Sequence, residues 1–264
     1  MYSLKNKIIF ITGASSGIGE ACARQFAALG ADIILTARRI DKLKQLAEAL
    51  ISQFGVRVLP LALNVSKPTE MQRAIDDLSS EWNNIAVLIN NAGLALDSVK
   101  LQDGKIDHWD TMINTNLQGL LYVTRAIVPG MIERQSGHVI NISSIAGHEC
   151  YPLGNVYCAT KHAVRALSKS LRIDLLGTGV RVTDVAPGAV ETEFSIVRWK
   201  DKQRADDFYK TFTPLVADDV ADAIVYCATR PLHVDVSELV ITPTDQASVN
   251  HLHKPGQSVT SMFD

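Results

Sequence analysis

Tyr157 and Lys161 stand four residues apart in a stretch of helical period that begins near Val156. On a helix that spacing puts both side chains on one face, about 5–6 Å apart at Cβ. A phenol titrates near 10 when unperturbed, and proton transfer near neutrality asks for a value lower by roughly 2–3, which is about 3–4 kcal/mol. An ammonium about 4 Å away in an effective dielectric near 20 supplies about 4 kcal/mol. One lysine is therefore just enough, and a second positive charge would help. The spacing predicts an acid–base tyrosine whose pKa Lys161 lowers, although such a pair also fits a half-buried ring beside a solvated lysine.

A second constellation lies near the amino end, where Thr12-Gly13-Ala14-Ser15-Ser16-Gly17-Ile18-Gly19 follows an apolar run and leads into a helix. Glycines there permit a tight turn and a close approach to a pyrophosphate, and the helix amino end offers free N–H groups with partial positive charge. NAD-binding chains place an acid at the end of the second strand to accept the ribose 2′-hydroxyl. This chain instead reads Thr36-Ala37-Arg38-Arg39. Two guanidinium groups suit a 2′-phosphate, so NADP is favoured over NAD; the alternative is a pair of arginines capping a strand end in solvent.

Positioning these groups falls to apolar runs of strand length at 7–12, 32–37, 56–63, 86–90, 138–143, 180–185 and 238–242. Between them lie helical patterns at 19–29, 42–53, 68–82, 106–134, 156–176, 205–212 and 218–229. The alternation predicts an α/β fold: a single-domain, Rossmann-like, doubly wound sheet of about seven parallel strands with helices on both faces. In such sheets ligands bind beyond the carboxyl ends of the strands. The 264 residues, 47% of them hydrophobic, suit one domain with a sizeable core. A net charge of −2 from 26 basic and 28 acidic residues, without a basic block, argues against nucleic acid and anionic membrane as partners. The scattered Cys22, Cys150, Cys158 and Cys227 read as reduced thiols of a cytoplasmic protein. No signal peptide or membrane span is legible. No metal is expected, since His251 and His253 lack a third ligand.

Further motifs complete the pattern: Asn90-Asn91-Ala92-Gly93 after the fourth strand, Ser143-Ser144 after the fifth, and Pro187-Gly188 after the sixth. With Gly13, Gly17, Gly19 and Tyr157-x-x-x-Lys161, they resemble the short-chain dehydrogenase/reductase family over essentially the whole chain. The resemblance implies that Tyr157 donates or accepts the proton and that Lys161 lowers its pKa and binds the nicotinamide ribose. It implies that Ser144 orients the substrate oxygen and that Asn116 helps hold a water for proton relay to the lysine. Ser15, Ser16, Ile18, Asn91, Ala92 and Gly93 would border the cofactor, and Pro187, Gly188, Val190 and Thr192 would meet the nicotinamide amide. Asn64-Val65 stands where many members have Asp-Val beside the adenine.

Later stretches, among them Gly154-Asn155-Val156-Tyr157 and Glu191-Thr192-Glu193-Phe194, resemble the branch of NADP-dependent 3-hydroxy acid dehydrogenases that also oxidise serine and allo-threonine. Such substrates carry a fixed negative charge. Arg198, in a 189–213 segment expected to act as a substrate lid, is the candidate anchor, against the plainer reading of a surface arginine. Glu191 and Glu193 in the same segment could hold an amino group. His148, Cys150 and Tyr151 are expected on the substrate side. The family also admits a broad carbonyl or 3-oxoacyl-thioester reductase, or an NADPH-binding sensor without turnover. By the same resemblance a homotetramer is expected, with the 243–264 tail reaching a neighbouring subunit.

Overall fold

A computed structural model describes residues 2–254. Its main sheet is built from β1 (Ile8–Thr12), β2 (Asp32–Ala37), β3 (Val58–Ala62), β4 (Ile85–Asn90), β5 (Gly137–Ile142) and β6 (Val180–Pro187). The short β7 (Val190–Glu191) and β8 (Leu215–Val216) pair separately, and β9 (Glu238–Ile241) closes the far edge of the main sheet. All seven main strands are parallel in the order β3-β2-β1-β4-β5-β6-β9. Chain direction across the sheet reverses between β1 and β4, which opens a crevice at their carboxyl ends.

Helices cover both faces: α1 (Gly17–Ala28), α2 (Ile40–Phe54), α3 (Pro68–Asp76), α4 (Ile106–Ile113), α5 (Gly119–Glu133) and α6 (Asn155–Asp174). Three more follow, α7 (Glu193–Trp199), α8 (Lys202–Tyr209) and α9 (Ala217–Ala228). Strand alternation divides the core. Ile9 and Ile11 of β1 pack with Phe26, Leu43, Leu50 and Ile224, while Ile8 and Phe10 pack with Met71, Val123, Ile127 and Met131. Because both faces are covered, β1 is buried at every residue and reads as an unbroken apolar run.

Three stretches depart from the sequence expectation. The 106–134 pattern is not one helix: a π-helical turn, Asn114–Gln118, separates α4 from α5. The 68–82 pattern ends at Asp76, after which Trp82 lies under the Arg57 guanidinium at 5.0 Å. The 189–204 stretch, which carries no clear period, forms β7, α7 and the start of α8, with Thr192 capping α7 and Asp201 capping α8 through their side chains.

After β9 the chain folds back on itself. Gln246 and Leu252 form a bridge, Asn250 Nδ2 donates to the Cys150 carbonyl at 3.0 Å, and Val249 and Leu252 are buried. Residues 255–264 of the expected tail lie outside the described residues. Among the described residues no helix is long and apolar enough to cross a membrane, and no three His, Cys, Asp or Glu side chains gather as a metal would need.

Candidate active site

A cavity of about 430 Å³ opens beyond the carboxyl ends of the strands, lined by residues that follow β1 through β6. Its floor is the glycine turn. Gly13 holds φ at +67°, a left-handed conformation costly for any residue with a Cβ. A Cβ on Gly19 would lie 2.5 Å from the Gly13 carbonyl oxygen and 2.6 Å from Asn91 Nδ2, so only hydrogen fits. Asn91, expected beside the cofactor, lines the cavity, but its amide staples the turn by donating to the Thr12 and Gly13 carbonyls at 2.9 and 3.3 Å. Thr12 Oγ1 accepts the N–H groups of Asn91 and Ala92, both at 2.9 Å.

Ser16 does not cap α1 with its side chain. Its hydroxyl instead accepts Arg39 Nη2 at 2.7 Å, and Ser15 Oγ accepts Arg39 Nε at 3.0 Å. The first N–H groups of α1, around Gly17, Ile18 and Gly19, thus keep the anion-binding character of an uncapped helix start. Arg38 lies exposed on the cavity lining. Arg39 Nη1 and Lys42 Nζ both donate to Glu193, at 2.8 and 2.9 Å, and these bonds, Lys42's first, hold that carboxyl down to about 2. Glu193 therefore faces the cations beside the glycine turn. Asn64 Oδ1 accepts the backbone and hydroxyl of Ser66, and Val65 is buried where a Cβ on Gly119 would meet it at 2.7 Å. Uncapped α1, two hydroxyls and the Arg38–Arg39 pair fit a dinucleotide bearing a 2′-phosphate.

Tyr157, Lys161 and Ser144 line the same cavity. Ser144 Oγ accepts the Ala146 N–H at 3.1 Å and donates to the Pro187 carbonyl at 3.3 Å, which ties the β5 end to the β6 end. Ser143 is buried and donates to Val185. The expected pKa relation runs the other way in the protein alone: burial pushes Tyr157 up to about 12, against the lowering influence of a Ser144 hydrogen bond and the Arg198 charge. Lys161 Nζ lies 5.8 Å from the Tyr157 ring centroid and donates to the Ile142 carbonyl at 2.8 Å. Burial also pushes Lys161 down, to about 8, opposed by the charge of Asp184. Helical spacing brings the two Cβ atoms together; it does not aim the ammonium at the phenol.

Asn116 sits in the π turn, 3% exposed, with Nδ2 donating to the Leu94 carbonyl and Thr160 Oγ1 and Oδ1 accepting the Leu94 N–H. Its side chain thus splices the loop after β4 to α6. A Cβ on Gly93 would stand 3.4 Å from Asn116 Oδ1 and 3.7 Å from Lys161 Nζ, which puts Asn116, Gly93 and Lys161 at one point. Gly188 is equally confined, by Gln246 Oε1 at 2.3 Å from its Cβ position. Thr192 stands 3.3 Å from the Cβ position of Gly17, and Val190 in β7 continues the wall.

Arg198 is not a surface residue: 8% exposed, it lines the cavity, stacks on Tyr151 at 5.3 Å and donates through Nε to Ser98 Oγ at 3.2 Å. Phe194, Trp199, Phe208 and Tyr209 complete this end. His148 and Cys150, expected on the substrate side with Tyr151, do not line the cavity. His148 Nε2 lies 3.1 Å from Glu238, and Cys150 is exposed. Two residues carry signals not read in the sequence. Asp184, 2% exposed, is the single acid of the fully buried β6, and Gln246 Oε1 accepts the Ala189 N–H at 2.8 Å from the returning tail.

The short chain dehydrogenase family model matches residues 7–203. Among similar proteins, sulfoacetaldehyde reductase 2 of Chromohalobacter salexigens is 48% identical over 91% of this chain and 95% of its own length. The NADP-dependent 3-hydroxy acid dehydrogenase of Schizosaccharomyces pombe is 42% identical over 96% of this chain and 99% of its own. The closed form of a serine dehydrogenase complexed with NADP+ superimposes with a TM-score of 0.87 at 41% identity, covering 96% of this chain and 98% of that one.

Proposed function

The chain belongs to the short-chain dehydrogenase family, and from that premise we propose that it is an NADP-dependent oxidoreductase of small 3-hydroxy acids or β-hydroxy amino acids. Arg198 carries this reading. A buried guanidinium on the wall of a cavity that also holds Tyr157 and Ser144 suits a substrate with a fixed anion a few bonds from the reacting carbon. NADP, when bound, supplies or accepts the hydride.

Arg38, Arg39, Ser15 and Ser16 would hold the 2′-phosphate end, and Lys161, Pro187, Gly188, Val190 and Thr192 the nicotinamide end. Tyr157 is the acid–base group and Ser144 its hydrogen-bonding partner at the substrate oxygen. Lys161, when protonated, favours the phenolate. Asn116 holds the loop and helix that set Lys161 in place. The 189–213 segment acts as a lid, with Arg198 and its rings excluding water once substrate is bound. Exposed apolar side chains on α4, α5 and α6, Ile106, Leu121 and Ile173 among them, support a homotetramer.

A second reading, supported by the 48% identical sulfoacetaldehyde reductase, is that the anion is a sulfonate and the reaction an aldehyde reduction. Both readings use Arg198. Arg198→Ala is expected to lower kcat/KM for 3-hydroxypropanoate, serine or sulfoacetaldehyde by roughly 10- to 100-fold, the range of a lost charged hydrogen bond. An uncharged aldehyde should change far less. Steady-state absorbance of NADPH measures all of these, and equal loss for charged and uncharged substrates would end the anchor assignment. In the unsubstituted protein, the ratio of kcat/KM between the carboxylates and the sulfonate separates the two readings.

A further inference from the structure

Glu193 opens α7, and both oxygens of its carboxylate are committed to cations beside the glycine turn. Oε2 accepts Arg39 Nη1 at 2.8 Å and Oε1 accepts Lys42 Nζ at 2.9 Å. The other two guanidinium nitrogens of Arg39 go to Ser15 and Ser16. Arg39 therefore joins three parts of the molecule: the glycine turn, the start of α2 through Lys42, and the first turn of the 189–213 segment. A 2′-phosphate on Arg39 would compete for the donors that Glu193 uses, and two anions on one cation repel. Side-chain exposures of 44% for Arg39, 47% for Lys42 and 43% for Glu193 leave these pairs screened and weak enough to exchange.

We propose that Glu193 is a specificity-determining counter-charge: its carboxylate stands in for the 2′-phosphate on Arg39 and Lys42, opposes the phosphorylated dinucleotide, and ties the start of the lid to the phosphate's arrival and release. This rests on reading Arg38–Arg39 as the 2′-phosphate site. NADH, without that phosphate, leaves the Glu193 pairs in place and is indifferent to them. Asp41 and Glu191 are neighbours in sequence, but neither pairs with Arg39 or Lys42 among the described residues, so the opposing charge is that of Glu193.

The experiment is a fluorescence titration of NADPH and of NADH against the full chain, Glu193→Gln and Arg39→Ala. Neutralising Glu193 is expected to tighten NADPH by roughly three- to tenfold, the size of one or two screened surface pairs, and to leave NADH within about twofold. Arg39→Ala is expected to weaken NADPH by about tenfold or more with NADH unmoved. NADPH binding that is unchanged or weaker in Glu193→Gln, or NADH tightened to the same degree, overturns the counter-charge. If Arg39→Ala nevertheless loses its preference for NADPH, the phosphate site stands and only the role of Glu193 falls. Preference retained in Arg39→Ala overturns both.

Discussion

On the sheet side of the cavity the backbone itself fixes the polar groups, whereas on the opposite side side chains hold one another. Thr12, Asn91 and Ser144 each bond to main-chain atoms at strand ends, Gly19 and Gly188 leave no room for a Cβ, and Gly13 holds a left-handed conformation. Across the cavity, Trp199, Tyr209 and Phe212 surround Phe208 with ring centroids 5.0 to 5.5 Å apart, and Phe194 tilts over Tyr157 at 5.6 Å. Arg198 and Trp199 both donate to the Ser98 hydroxyl in the loop after β4, and the Asp97 N–H donates to the Arg198 carbonyl at 3.2 Å. The first wall is preorganised by covalent geometry and tolerates almost no displacement. The second is local packing on two short helices, the kind of unit that opens at low cost.

Tyr157 belongs to both walls, so its removal is the largest effect expected. Tyr157→Phe keeps the ring against Phe194 and loses only the hydroxyl that meets Ser144. Turnover should fall by about 10²- to 10⁴-fold, while the NADPH dissociation constant from fluorescence titration stays within about threefold. Retained turnover would place the proton chemistry elsewhere. Turnover and NADPH binding lost together would mean that the two walls are not separable.

Gly19→Ala probes the rigid wall alone. The added methyl must displace the Gly13 carbonyl or the Asn91 amide, and either movement shifts the glycine turn. Overpacking of this kind costs about 1–3 kcal/mol, visible as a lower Tm, and NADPH and NADH should both weaken by about tenfold or more. Equal weakening matters, because Arg39→Ala discriminates between the two cofactors and Gly19→Ala should not. If the turn relaxed without loss of affinity, the contrast between the walls would lose its basis.

The same contrast explains what could be read from the amino acids. Gly13, Gly17, Gly19, Arg38, Arg39, Asn91 and Ser144 each stand within a few residues of the end of an apolar run, and their work is local to that strand end. The central strands β1, β2 and β4 were legible because parallel strands buried on both faces show as near-continuous apolar runs, and the edge strands β3 and β9, only partly buried, still carry short apolar runs. The π turn was not, since the apolar period continues through 106–134 and an extra residue per turn leaves no compositional mark. Nor was α7, at seven residues too short to establish a period, whereas α8 overlaps the 205–212 pattern but starts and ends three residues earlier. Tyr157 shows the limit for a single group: spacing with Lys161 was correct for the helix, but the pKa follows burial, which a sequence motif does not report. Glu193 and Arg39 are 154 residues apart, and their pairing exists only because the fold lays the start of α7 beside the glycine turn.

The smallest effect separates the core of the sheet from the Glu193 pairs by pH. His138 in β5 is 1% exposed, with Nε2 2.8 Å from Thr183 Oγ1, and burial, helped by the Arg181 charge, holds its pKa well below 6.5. Below pH 6.5 the unfolded chain binds a proton that the folded chain refuses, so stability is full above that value and is lost as pH falls. The loss from this residue is about 1.4 kcal/mol at pH 5.5, or roughly 2–5 °C in Tm. Glu193 behaves differently: its depressed pKa makes its contribution complete above the usual glutamate value of 4.5 and lost only toward pH 2. Between pH 7.5 and 5.5 the sheet should therefore weaken while the Glu193 pairs persist. Thermal melts across that range should slope downward for the wild-type chain and flatten in His138→Gln, whereas Glu193→Gln should leave the slope intact. A slope unchanged by His138→Gln would assign the acid sensitivity to another buried group.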